Sequence, residues 1–156
     1  MLENILTPQD CATCKICCKF EPDELIDAPT FTVEEMAYSK RINNRATFSA
    51  IGSIYQINLE RWKEKYICPF LIETGCQLGD MRPFDCKSWP FYLMKKQGKY
   101  IIALSQDCPV VLKKYLDYQT IDIQPEFISQ CYEVISKYPE MIPDYNREML
   151  ILYVFD

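Results

Sequence analysis

The chain has no histidine, only four glycines in 156 residues, and no apolar run long enough to cross a bilayer. Without imidazole there is no neutral nitrogen ligand for a metal, no histidine general base and no Ser-His or Cys-His arrangement. Scarce glycine leaves no dinucleotide-binding fingerprint, no phosphate-cradling P-loop and no Gly-rich linker to divide the chain. The longest late apolar run, Met149 to Phe155, is too short to span a membrane, and Met1 to Asp10 has neither a basic start nor an apolar stretch. Lys and Arg are outnumbered by Asp and Glu, for a net charge of -5, so neither a cationic nucleic-acid footprint nor attraction to an anionic membrane is expected. These absences predict a soluble, cytoplasmic protein whose substrate or protein partner is unspecified.

Nearly half of the residues are apolar or aromatic, enough for a sizeable core, and the length predicts one compact domain over residues 1–156. The pattern reads as α+β. Thr32 and Glu35 have capping-box spacing ahead of Val33, Met36 and Ala37, which predicts a helix over 33–43. Tyr55, Ile57 and Leu59 alternate with polar residues as a strand does. Phe91 to Lys96 and Lys99 to Ser105 flank Gln97-Gly98 and predict a tight β-hairpin. A helix opened by Pro109 follows, then a stronger one over 125–138 whose stripe is Phe127, Ile128, Cys131, Val134, Ile135 and Tyr138. Residues 1–30 show little periodicity and predict irregular loops stapled by a metal.

Nine cysteines in such a chain are read by compartment, and a reducing one favours metal binding over disulfides. The first block is Cys11-x2-Cys14-x2-Cys17-Cys18, in which two intervening residues let a pair of sulfurs turn toward one ion. Adjacent side chains in extended backbone point to opposite sides, so Cys17 and Cys18 predict more than one metal or a multinuclear centre. The second block is Cys68-Pro69-Phe70, Gly75-Cys76, Arg82-Pro83-Phe84-Asp85-Cys86 and Asp107-Cys108-Pro109, each cysteine beside turn-forming residues. Eight thiolates, Cys11, Cys14, Cys17, Cys18, Cys68, Cys76, Cys86 and Cys108, satisfy two four-coordinate sites without remainder. Zinc, a bridged dinuclear centre, an iron-sulfur cluster and Cu(I) all accept such ligands. Arg82 and Lys87 are candidate cations around the sulfurs. Cys131, inside an apolar helical stripe, reads as a small buried hydrophobe.

These blocks resemble the CxxCxxCC, or YkgJ-like, cysteine-cluster proteins, described as zinc- or iron-chelating domains. The resemblance runs from Cys11 to Pro109 and includes Trp89-Pro90-Phe91 after the third motif. It implies that all eight cysteines chelate and that Cys131 stands outside the pattern. Lys87 occupies a position where an arginine is common in that family. Some members are labelled iron-sulfur oxidoreductases, and flagellin lysine methylases carry a similar cluster.

Two functions follow as expectations. In one, zinc ions or an iron-sulfur centre have a structural or electron-transfer role. In the other, the same centre serves an enzyme, an oxidoreductase or a protein-modifying activity, with Asp85 or Asp107 as candidate polar groups near it, carboxylates that can equally well cap turns. Disulfide bonding in an exported domain fits less well with an odd cysteine count and no leader.

Overall fold

A computed structural model describes residues 6–118, 121–145 and 148–156, apart from the side chains of Pro8 and Cys11. Helices and strands are both present, as the α+β reading requires. Two compact units are distinguishable among the described residues, 8–87 and 88–156 together with residues 6 and 7.

The unit of residues 8–87 opens with α1 (Pro8–Cys14), in a stretch expected to be irregular. The helix is only seven residues long, too short to display a period, and its signals are local: Pro at the first helical position and Asp10 in the first turn. Lys15, in the left-handed conformation at φ 55°, ends it. A 3-10 turn over Ile16–Cys18 then leads into β1 (Lys19–Phe20).

β2 (Thr30–Phe31) precedes α2 (Val33–Ile42). The capping box forms as expected: Glu35 N–H donates to Thr32 Oγ1 at 3.2 Å, and Thr32 N–H to Glu35 Oε2 at 2.9 Å. Glu34 and Glu35 in the first turn and Lys40 and Arg41 in the last complement the helix dipole. At the far end Asn43 Nδ2 donates to the Pro69 carbonyl at 3.0 Å, tying the helix to the turn after Cys68.

Six short strands follow: β3 (Phe48–Ile51), β4 (Ile54–Ile57), β5 (Glu60–Trp62), β6 (Lys65–Ile67), β7 (Leu71–Ile72) and β8 (Gly75–Cys76). All pairings are antiparallel, giving sheets of order β1-β6-β5 and β2-β4-β3 and a β7-β8 hairpin. The strand expected around Tyr55–Leu59 is β4, which ends at Ile57. The core holds Ala28, Phe31, Ala46, Ile57, Cys68, Phe70 and Leu78. Phe31 stands edge-on to Phe48 at 5.1 Å and tilted toward Phe70 at 6.4 Å. The unit closes with α3 (Phe84–Ser88).

In the other unit, β9 (Phe91–Lys96) and β10 (Lys99–Leu104) form the expected hairpin, with Gln97 at φ 50° and Gly98 at φ 82°. Two successive positive φ values match the right-handed twist of the strands, and Gly98 adopts its value without a Cβ to clash. Helices α4 (Pro109–Tyr118) and α5 (Pro125–Lys137) follow. β11 (Leu150–Val154) then pairs with β10, its register shifting between Ile102 and Ala103. The late apolar run, too short for a bilayer, is thus an edge strand of this sheet. Among the described residues no helix is long and apolar enough to cross a membrane.

Candidate metal centre

Antiparallel pairing does what the separated motifs do not do alone. β1 and β6 pair Lys19 with Ile67 and Phe20 with Tyr66. One step further along the same register, Cys68 N–H donates to the Cys18 carbonyl at 3.0 Å. The first cysteine block thereby meets the second. Cys68 then begins a turn closed by Leu71 N–H on its carbonyl at 3.0 Å, and the β7-β8 hairpin returns the chain so that Cys76 faces Leu71. Cys18 and Cys76 pack against the apolar cluster that contains Cys68.

The 3-10 turn also overturns the expectation that Cys17 and Cys18 diverge. Their backbone is not extended, and Cys18 is the first cause of the raised Cys17 thiol. Opposed side-chain directions are therefore not a ground here for more than one metal.

Electrostatics place further sulfurs in the same neighbourhood. Cys17 is pushed well up, first by its hydrogen bond to Cys18 and then by burial. Burial pushes Cys68 up to about 12, with Cys76 and Cys17 adding to it while the Phe70 N–H pulls the other way. Cys76 rises through burial and the charge of Cys17, opposed by the N–H groups of Leu78 and Gly79 and by Arg82. Cys86 is raised by burial, then by Cys68, Cys17, Asp85 and Cys76. Backbone N–H groups aimed at sulfur and a guanidinium beside it are what a thiolate bound to a cation requires around it. Sequence reading misses the three N–H donors, whose only signal is turn chemistry beside the cysteines.

α1 is fastened over this region from two sides. Lys15 Nζ donates to the Glu73 carbonyl at the tip of the β7-β8 hairpin. Gly75, at φ 127°, adopts a backbone conformation that L side chains rarely take, which is why the hairpin uses glycine there, and a Cβ at that position would touch the Ala12 methyl at an ordinary 3.7 Å. α1 carries Cys14 at its last position, half-buried. Cys11 is also within α1, but its side chain lies outside the described residues.

Cys108 belongs to the unit of residues 88–156. It is buried at the start of α4, where its carbonyl accepts Leu112 N–H at 2.9 Å. Cys131 is fully buried in α5 with Phe127 and Val134, and burial alone pushes its thiol up to about 12. That environment matches its reading as a core residue.

The two candidate carboxylates hold turns. Asp85 Oδ2 accepts Thr30 N–H at 2.9 Å and Thr30 Oγ1–H at 2.6 Å, fastening the helix of Cys86 to β2. Burial raises this carboxyl, and its bonds to Thr30 offset only part of the rise. Asp107 Oδ2 accepts Ser105 Oγ–H at 2.7 Å, and its own N–H donates back to Ser105 Oγ at 3.1 Å. Asp85→Ala strands two partly buried donors and is expected to lower stability by about 1–3 kcal/mol. Asp85→Asn retains an acceptor without a buried charge and should lie within about 1 kcal/mol of the original protein. Urea denaturation of both variants checks this; equal losses would remove the hydrogen-bond account.

No family model, curated protein or solved structure matches this chain. The likeness to the CxxCxxCC proteins thus stands on its motifs, and the chemistry of the centre stands on the donors. Among the described residues, no three Cys, Asp or Glu side chains already stand in a metal-holding arrangement. Cys17, Cys18, Cys68, Cys76 and Cys86 are neighbours rather than a finished cage. Their softness fits zinc, iron or Cu(I) and fits poorly the oxygen-seeking Mg²⁺ or Ca²⁺.

Proposed function

We propose that this protein is a metal-binding protein that holds zinc ions or an iron-sulfur centre through its cysteines, with a structural or electron-transfer role. The observation that supports this best is the joining of Cys17 and Cys18 to Cys68 by strand pairing, with Cys76 and Cys86 close enough to influence the same sulfurs. Phe70, Leu78 and Gly79 add N–H donors to those sulfurs, and Arg82 adds positive charge.

Five neighbouring cysteines exceed the four ligands of one tetrahedral ion. A second ion or a bridged centre is therefore part of the proposal, with Cys11 and Cys14 of the same unit as its further ligands. A bound metal would add to the apolar cluster in holding together strands only two to four residues long. An enzymatic role gains nothing from Asp85 and Asp107, which are engaged with Thr30 and Ser105.

Anaerobic purification followed by metal analysis and an absorption spectrum tests the reading. Stoichiometric zinc without visible absorption is the expected result for a structural centre, and iron with acid-labile sulfide for an electron carrier. Because the thiols of Cys17, Cys68, Cys76 and Cys86 are raised, binding must displace protons, so affinity should fall as pH falls. A colourless protein containing neither zinc nor iron, and taking up neither after reduction, would overturn the proposal.

A further inference from the structure

Arg82 does more than add charge near the cysteines. The turn after Cys76 runs through Leu78 into a 3-10 turn over Gly79–Met81, with Met81 N–H donating to the Leu78 carbonyl at 2.9 Å. The N–H groups of Leu78 and Gly79 point back at the Cys76 sulfur. The Gly79 carbonyl accepts Arg82 Nε–H at 2.9 Å and the backbone N–H of Arg82 at 3.4 Å. Arg82, a half-buried residue, thus grips the turn whose N–H groups serve Cys76. It also exerts its charge on Cys17, which comes from the other cysteine block.

We infer that Arg82 is the positioning residue of the thiolate centre, clamping the Gly79 turn so that two N–H groups stay on Cys76 while its charge bridges Cys76 and Cys17. The inference rests on the metal-binding reading above. Four thiolates around a divalent ion leave net negative charge, and a cation held near two of the sulfurs offsets it. Guanidinium suits both tasks, because its five N–H donors let one hold a carbonyl while others face sulfur.

Co²⁺ is the probe, bound by the reduced full-length protein and titrated against a competing chelator. Arg82→Gln, which loses the charge, is expected to weaken Co²⁺ retention by about 10–100-fold, the usual range for residues that orient metal ligands. Arg82→Lys, which keeps the charge and can still reach a carbonyl, should stay within about threefold. Arg61→Gln, an exposed control on β5 of the same unit, should change nothing. The thiolate-to-cobalt charge-transfer band should shift in Arg82→Gln and stay in place in Arg82→Lys, a signature that a merely structural role would not move.

Retention within about twofold in Arg82→Gln, or equal losses in the Gln and Lys variants, would overturn the inference. Should the Gln variant fail to fold, the Lys variant decides: a tenfold or larger loss of Co²⁺, about an order of magnitude, overturns it. Failure of the original protein to bind Co²⁺ would instead strike the metal-binding reading itself, so the two failures are distinguishable.

Discussion

Cys68→Ser is expected to abolish the proposed stoichiometric metal binding and to destabilise the unit of residues 8–87 by more than about 4 kcal/mol, in the range that loss of a bound metal produces. Cys68 is a core residue, only 7 % exposed, in a cluster with Phe31, Ile57 and Phe70. Its position is held by the Cys18 carbonyl on one side and the Leu71 N–H on the other. If its role were packing alone, replacing sulfur by a buried hydroxyl would cost only about 1–3 kcal/mol. Denaturant titration with metal analysis on the same samples separates the two cases. Cys131→Ser, in an equally buried apolar setting, supplies the comparison and should leave metal content unchanged. Hydrogen exchange should locate the loss of protection within residues 8–87, since binding and folding are coupled where metal holds short elements together.

Phe70→Ala is expected to cost about 3–5 kcal/mol by the cavity it leaves, even though every cysteine remains. The ring is fully buried in the cluster with Cys68 and packs on Phe31. Because its backbone N–H, not its ring, faces the Cys68 sulfur, the folded fraction of this variant should still bind the full complement of metal. Denaturation in the metal-loaded state checks the magnitude. A loss below about 1 kcal/mol would mean that the neighbouring side chains collapse into the space or that Phe70 is not a core anchor.

The difference between these two variants reflects how the unit is built. Its strands are two to four residues long, so strand pairing alone secures little, and cysteines sit in or against the same apolar cluster as the phenylalanines. Packing and the proposed ligation therefore act on one set of atoms. Arg82, Asn43 and Asp85 fix the turns that carry the cysteines, through the carbonyls of Gly79 and Pro69 and the N–H and hydroxyl of Thr30.

Elements with strong local signals are legible in the residues themselves. The capping box of Thr32 and Glu35, the Gln97-Gly98 turn and the apolar stripe of α5 each act over a few neighbouring residues, so sequence order and spatial order coincide there. Short elements are not legible. A seven-residue helix has no room for a period, and strands of two residues have no alternation to read. The helix of Cys11 and Cys14 therefore reads as a loop, and the turn at Cys17-Cys18 as extended chain.

Residue chemistry alone determined the kind of donors this protein offers: thiols, no imidazole, and an apolar helical setting that sets Cys131 apart. Only the tertiary structure decided which sulfurs become neighbours and which backbone groups face them. Antiparallel register joins Cys18 to Cys68, far apart along the chain, and a carbonyl gripped by Arg82 belongs to the turn that aims two N–H groups at Cys76. Donor softness is a property of each side chain by itself. Convergence is a property of the pairings between distant segments, which no local spacing encodes.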